Sequence, residues 1–323
     1  MPTELERAIR AQPEALRRLA GLELPEHARR LGECSRVWLV GTGTSSHAAE
    51  LGSAMLARAG IDARYASSMQ FVLAAAGERL LPGDGAIVIS HTGSSAYARA
   101  ARASALEAAA VTVSITAEGM DWPEAIQTVP KERSHTYTIS YLGTLAAIAL
   151  IAHAYGAEGL GPEAIEAAAD AVADAIESPG IDTLPDFERL LVLTGTGPAA
   201  VSAREGALKV REAARRLAEG FDGEFLLHGS AVPLDGRDAL VLLQPSRDPY
   251  GLLPGLGRAA EAEGVPVGAL DDDGSGDPVL SQLALTARLQ LLALELSARA
   301  GQDPDKAIVG AWYDDALWER GAP

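Results

Sequence analysis

At 323 residues the chain is long enough for one large or two medium domains, and 48% hydrophobic with 22% charged residues is the balance of a water-soluble globular protein. A single cysteine, Cys34, excludes an internal disulfide and a Cys-based zinc site and fits a reducing cytoplasm. The net charge of −17 argues against nucleic-acid and anionic-membrane partners, and means that a phosphate ligand must be held by local groups against an unfavourable overall field.

The first element is MPTELERAIRAQPEALRRLAG, a charged amphipathic helix without an apolar h-region, so no secretion signal is expected. RVWLVGTGTSS at 36–46 reads as strand, Gly-rich turn and helix start. GAIVISHTG at 85–93 is a second strand and turn leading into an alanine-rich helix, and AVTVSITA at 110–117 a third strand. LGTLAAIALIAHAYG, near 142–156, is too short to span a bilayer and predicts a buried helix. EGLGPEAIEAAADAVADAIESPG at 158–180 is a helix flanked by Gly and Pro, which predicts a connector.

The order then repeats. RLLVLTGTGPA at 189–199, DALVLLQPS at 238–246 and GVPVGALD at 264–271 match the three earlier strand segments at separations of 153 or 154 positions. Strands alternating with helices predict an α/β fold built twice from parallel sheets covered by helices. The expected boundaries are a leading helix and first unit over 1–157, the connector over 158–180 and a second unit over 181–323. In such sheets ligands sit beyond the carboxyl ends of the strands, where GTGTSS and SHTGSS fall.

The copies differ at one turn. The first half has Ser90-His91-Thr92-Gly93-Ser94-Ser95 where the second has Gln244-Pro245-Ser246-Arg247-Asp248. Hydroxyls needed only to make the turn would stand in both. A strand-to-helix turn offers free backbone N–H groups and the positive end of the helix dipole, and Ser and Thr add neutral donors: a phosphate cradle without a lysine. The competing reading is a helix N-cap, where Ser and Thr are favoured anyway.

In REGALKVRE, Glu205, Lys209 and Glu212 share one helix face. A solvated salt-bridge face is one reading. Against it, Arg211, Arg215 and Arg216 already charge the outer face and the segment is otherwise rich in Ala, Leu and Val. The six histidines show no metal-ligand spacing, and GTGTSS lacks the spacing of a dinucleotide fingerprint, so no cofactor is expected.

Several motifs carry a resemblance. ELERAIRAQPEAL is similar to a leading helix of E-I-x-E-Q-P type, GTGTSSHAAELG to a C-G-T-S turn, and ISHTGSSAYA to an S-x-S-G-x-[ST] phosphate turn. REGALKVREAARRLAE followed by HGS is similar to E-G-A-L-K-x-K-E…AE…HGP. On these residues nearly the whole chain resembles the SIS (sugar isomerase) family, specifically the isomerase module of glucosamine-6-phosphate synthase. The resemblance implies two flavodoxin-like units and a homodimer with active sites at the subunit boundary. It places phosphate and sugar contacts on Thr44, Ser45, Ser90, His91, Thr92 and Ser95, the carboxylate base on Glu212 and Lys209 near the sugar oxygens. His228 matches a ring-opening histidine that reaches in from the neighbouring subunit.

Moving a proton between C1 and C2 of an open-chain sugar phosphate needs a carboxylate base and a cation or donor at the developing enediolate oxygen. The expected function is therefore a phosphosugar isomerase acting on a hexose or hexosamine 6-phosphate, with ammonia release of the deaminase type as one form. A fructosamine-phosphate deglycase and a non-catalytic sugar-phosphate-binding regulator are the alternatives. The departures bear on this choice. The family tail G-x-D-P-D-x-P-x-x-L-x-K ends here with Ala307 for the proline and Trp312 for the lysine, and Lys306 is out of register. KERSHTYTISYLG lacks the family's S-T-K lysine, leaving Thr136 and Thr138, and HGP is HGS. With no Cys after the initiator Met, no glutaminase is expected.

Overall fold

Short apolar runs closed by Gly-rich turns form the strands, and the Ala- and Leu-rich segments between them form the covering helices. The computed structural model describes residues 2–73, 80–81, 83–274 and 276–319. In chain order, α1 is Glu4–Ala20, β1 Arg36–Gly41, α2 Thr44–Arg58, β2 Ala63–Ser67, β3 Asp84–Ile89, α3 Ala96–Glu107, β4 Val111–Thr116, β5 Ala125–Gln127 and α4 Ile139–Ala154. There follow α5 Pro162–Glu177, β6 Leu191–Gly195, α6 Pro198–Ala214, β7 Ala218–Asp222, β8 Ala239–Leu243, α7 Leu252–Ala262, β9 Val267–Leu270 and α8 Ser281–Arg299.

The strands make two sheets, ordered β2-β1-β3-β4-β5 and β7-β6-β8-β9, and every pairing is parallel. This is the doubled α/β architecture that the repeat predicts. Two compact units contain them. One comprises Ala11–Arg133, Tyr137–Ala169 and Ile308–Pro323; the other comprises Met1–Arg10, Ser134–Thr136 and Asp170–Ala307.

Both faces of the second sheet are buried. Leu191, Leu193 and Val241 pack with Ala203, Ala207, Val210, Leu285 and Leu289 from α6 and α8. Val192, Leu240 and Leu242 face the other way, against Leu253 and Leu256 of α7. This alternation is why these strands read as unbroken apolar runs. In the first unit α4 is the central helix, with every residue from Ser140 to Ala152 buried. Among the described residues no helix is long and apolar enough to cross a membrane.

The central strand pair has the same register in both sheets. Val37 stands opposite Gly85 between β1 and β3, and Leu191 stands opposite Ala239 between β6 and β8. The turn glycines Gly41 and Gly195, each pressed against the fourth residue after it, put the repeat at 154, one residue beyond the 153 that aligned Arg36 with Arg189. The chemistry at that arginine is nevertheless duplicated. Arg36 pairs with buried Asp84 at 2.6 Å, and the Leu81 N–H donates to the same carboxylate. Arg189 Nε donates to buried Asp238 at 2.8 Å, and the Asp235 N–H donates to that carboxylate. Each pair ties the start of one central strand to the start of the next.

Candidate active site

In the first sheet β1 and β3 are neighbours whose connections leave in opposite directions, so their carboxyl ends flank a topological switch point. The β1 turn needs its glycines. A Cβ on Gly41 would come within 2.5 Å of the Ser45 backbone, and Gly43 holds φ 56° and ψ −129°, a region that side chains avoid. The turn delivers Thr44 as the first residue of α2 with Ser45 behind it, both half-buried. Ser90 follows the last residue of β3, 7% exposed, its N–H bonded to Ile115 O at 3.0 Å.

Thr92 and Ser94 share a hydroxyl–hydroxyl bond of 2.6 Å across this turn. Ser95 occupies the N-cap position of α3 but makes no side-chain cap bond. The hydroxyl that the capping reading would employ is thus not used for capping. Arg99, in the first turn of α3, donates to the Ser94 carbonyl. A cation therefore stands beside a turn that contains no lysine, and the sequence reading passed over it because it sits among alanines in a helix.

His91 is held as a neutral ring. Its Nε2 accepts the Glu132 N–H at 3.0 Å, and the ring makes an edge contact with Tyr137 at 5.5 Å between centroids. Burial, and secondarily the Lys131 charge, lower its pKa from 6.5 to about 4. With Nε2 accepting, the proton of the neutral ring lies on Nδ1. The Glu132 carboxylate accepts from the Thr138 and Ser140 backbone N–H groups at 3.0–3.1 Å and from both hydroxyls, and so caps α4. Glu132 was not singled out from sequence; an acid six to eight residues upstream of the groups it caps carries no local signature.

The triplet on α6 is not a solvated face. Lys209 and Glu205 have no exposed surface, because α6 packs on α8 and β7. Lys209 Nζ lies 2.6 Å from Glu212 Oε2 and 3.5 Å from Glu205 Oε1. Burial raises the Glu212 pKa; Lys209 opposes this and the Glu205 charge adds to it. The Glu212 side chain keeps 18% exposure, and its affinity for a proton is raised. That combination suits a general base.

His228 lies elsewhere in the same unit. Its side chain is 73% exposed, with Nε2 at 3.9 Å from Glu224 Oε1. Phe225, Leu227 and Val232 around it are also exposed. The tail is partly structural. Asp305 accepts the Glu4 and Leu5 N–H groups at 2.9 and 2.8 Å and so caps α1, and Thr136 Oγ1 donates to Pro304 O at 2.8 Å. Trp312 is exposed in a single 3₁₀ turn, its carbonyl accepting from Trp318 Nε1. No group of His, Cys, Asp and Glu side chains able to hold a metal occurs among the described residues.

No family model matches the chain. It is 28% identical over 305 residues to a glutamine–fructose-6-phosphate aminotransferase (isomerizing) of Methanothermobacter thermautotrophicus, covering 85% of this chain and 51% of the relative. The chain thus spans about half the length of that relative. Among solved structures, tagatose-6-phosphate ketose/aldose isomerase from Escherichia coli superposes with a TM-score of 0.80 at 21% identity, covering 97% of this chain and 98% of the other. Glucosamine-6-phosphate deaminase from Thermotoga maritima gives a TM-score of 0.78 at 18% identity, covering 94% and 97%. At these identities the superpositions establish the fold.

Proposed function

We propose, from the premise that this chain is an SIS-domain protein resembling the isomerase half of the glutamine–fructose-6-phosphate aminotransferases, that it interconverts an aldose and a ketose 6-phosphate of the hexose or hexosamine class. One observation carries the reading: a buried lysine held between two carboxylates on α6, with the pKa of the more exposed carboxyl raised.

Glu212 is the base that removes the proton from C1 or C2 and returns it to the neighbouring carbon. A base whose pKa is raised accepts that proton more readily than an ordinary carboxylate does. Lys209 is wholly enclosed, so in this conformation its charge acts on Glu212 and Glu205. Its charge and hydrogen bond oppose the effect of burial, which favours the protonated form of Glu212. The turn of Ser90, His91, Thr92 and Ser95, with Thr44 and Ser45, receives the phosphate through hydroxyls and helix N-termini. His91, neutral at physiological pH, offers Nδ1–H as a donor rather than a cation. His228 serves the ring-opening step in a homodimer; its exposed apolar neighbours Phe225, Leu227 and Val232 fit contact with a second copy.

One feature favours a second reading, a sugar-phosphate-binding regulator without turnover: exposed Trp312 stands where the family tail has its lysine. Solvent deuterium incorporation separates the two readings. With a panel of hexose and hexosamine 6-phosphates in D₂O, the chain is expected to exchange the C1 or C2 hydrogen of at least one. Glu212→Gln is expected to bind that sugar nearly as well and to lose exchange by about 100- to 10,000-fold. Exchange that survives the substitution removes Glu212 as the base. Binding without exchange in the unmodified chain establishes the regulator.

A further inference from the structure

We infer that the cleft at the carboxyl edge of the second sheet is a separate binding site for an uncharged, polyhydroxylated ligand of monosaccharide size. It lies between the ends of β6 and β8, the switch point that corresponds to the phosphate turn of the first half. Its volume is about 510 Å³, within the usual range for small-molecule sites, and its lining includes Thr196, Gln244, Ser246, Arg247, Tyr250 and Gln282.

The chemistry of this edge has been exchanged rather than erased. Pro198 and Ala199 stand where Thr44 and Ser45 stand, which removes one N–H and both hydroxyls from the helix start. Gln244 replaces Ser90 at the strand end. Its amide is fixed in a buried floor: Gln282 Nε2 donates to Gln244 Oε1 at 2.7 Å, and Gln244 Nε2 donates to Asp272 at 2.7 Å. Ser202 Oγ donates to Gln282 Oε1 at 2.8 Å, extending the floor into α6. Gln244 is held at φ 51°, a conformation that favours glycine.

Charge decides the ligand class. Arg247 Nε donates to Asp272 at 3.1 Å, Ser246 donates to Asp271, and Asp248 accepts the Tyr250 and Leu253 N–H groups. The lining pairs one guanidinium, Arg247, with one carboxylate, Asp248, and Arg247 is bonded to Asp272, so the cleft offers a phosphate no net positive charge, in a chain of net charge −17. The Arg247 guanidinium, the Asp248 carboxylate and the Ser246 hydroxyl on the lining are groups that bind hydroxyl pairs. Tyr250, 93% exposed at the rim, supplies an aromatic face for the apolar side of a sugar ring.

The test uses the full chain and ligand-observed saturation-transfer NMR with D-glucose, D-mannose and N-acetyl-D-glucosamine. At least one is expected to receive saturation, and Tyr250→Ala is expected to weaken its affinity by up to about tenfold. Because Tyr250 is almost wholly exposed, that variant should fold as the parent does. Binding should persist in Ser90→Ala/Thr92→Ala and should not be displaced by inorganic phosphate. No saturation with any of the three sugars overturns the inference. So does a signal that Tyr250→Ala leaves unchanged, one that the Ser90→Ala/Thr92→Ala pair abolishes, or one that phosphate displaces. None of these outcomes depends on turnover, so the inference and the isomerase reading fail separately.

Discussion

The two sheets agree at their amino edges and disagree at their carboxyl edges. Arg36–Asp84 and Arg189–Asp238 are the same device: an arginine, a buried aspartate, and an N–H three residues upstream of the aspartate donating to its carboxylate. At the other edge Thr44, Ser45, Ser90 and His91 of the first half are replaced in the second by Pro198, Ala199, Gln244 and Pro245. What both halves retain is what the fold requires of a central strand pair. What only one half carries is free to serve a ligand. The difference between copies within one chain therefore separates scaffold from site.

The largest expected effect tests the shared edge. Asp84→Ala removes the buried carboxylate that pairs with Arg36, whose side chain is 11% exposed; a loss of about 3–5 kcal/mol is expected. Asp238→Ala should cost less, because Arg189 is 36% exposed and water can replace the carboxylate. Chemical denaturation of both variants checks the order. Equal losses would show that the two pairs do not differ in solvation.

Acid should then divide the halves. The folded pKa of His91 lies at about 4 against an ordinary 6.5, so its contribution is fully present above pH 6.5 and is lost as pH falls towards 4. The loss is on the order of 3 kcal/mol. The second half has Pro245 at that position, and its depressed Asp238 loses its contribution only below the ordinary 3.8. Hydrogen exchange at pH 4.5 and 7 should show first-half peptides around β3 and α4 losing protection at low pH, with β8 peptides unchanged. His91→Gln should abolish the difference. Parallel loss in both halves would detach the effect from His91.

Much of this comparison was legible in the sequence. The alternation of strands with helices, the doubled unit and the divergent turn follow from periodicity and from the repeat, because parallel strands buried on both faces must be apolar throughout. The one-residue slip arose because RVWLV and RLLVL match best on their arginines, while the backbone repeat is set by Gly41 and Gly195, each pressed against the helix that follows. The shared face of Glu205, Lys209 and Glu212 was readable from spacing, but its burial was not, since α8 comes some seventy residues later. Glu132 capping α4 and Asp305 capping α1 from 300 residues away are contacts of the folded chain with no local pattern.

The smallest expected effect is the most exacting check on the equivalence of the halves. Gly43 and Gly197 precede α2 and α6 with nearly the same backbone, φ 56° and ψ −129° against φ 54° and ψ −126°. Neither conformation suits a residue with a Cβ, so each Gly→Ala substitution should cost about 1–3 kcal/mol. The backbone angles are nearly the same, and the two costs should therefore agree to within about 0.5 kcal/mol. Ligand binding should not agree. Gly43→Ala shifts the first turn of α2 and with it Thr44 and Ser45, so affinity for a sugar 6-phosphate should fall. Gly197→Ala should leave that affinity at the parent value. Equal stability losses with unequal losses of affinity would show that one backbone device carries a phosphate site in only one of its two copies. Equal losses of affinity would mean that both turns serve the phosphate and that the divergence at Thr44 and Ser45 is not what sets the site.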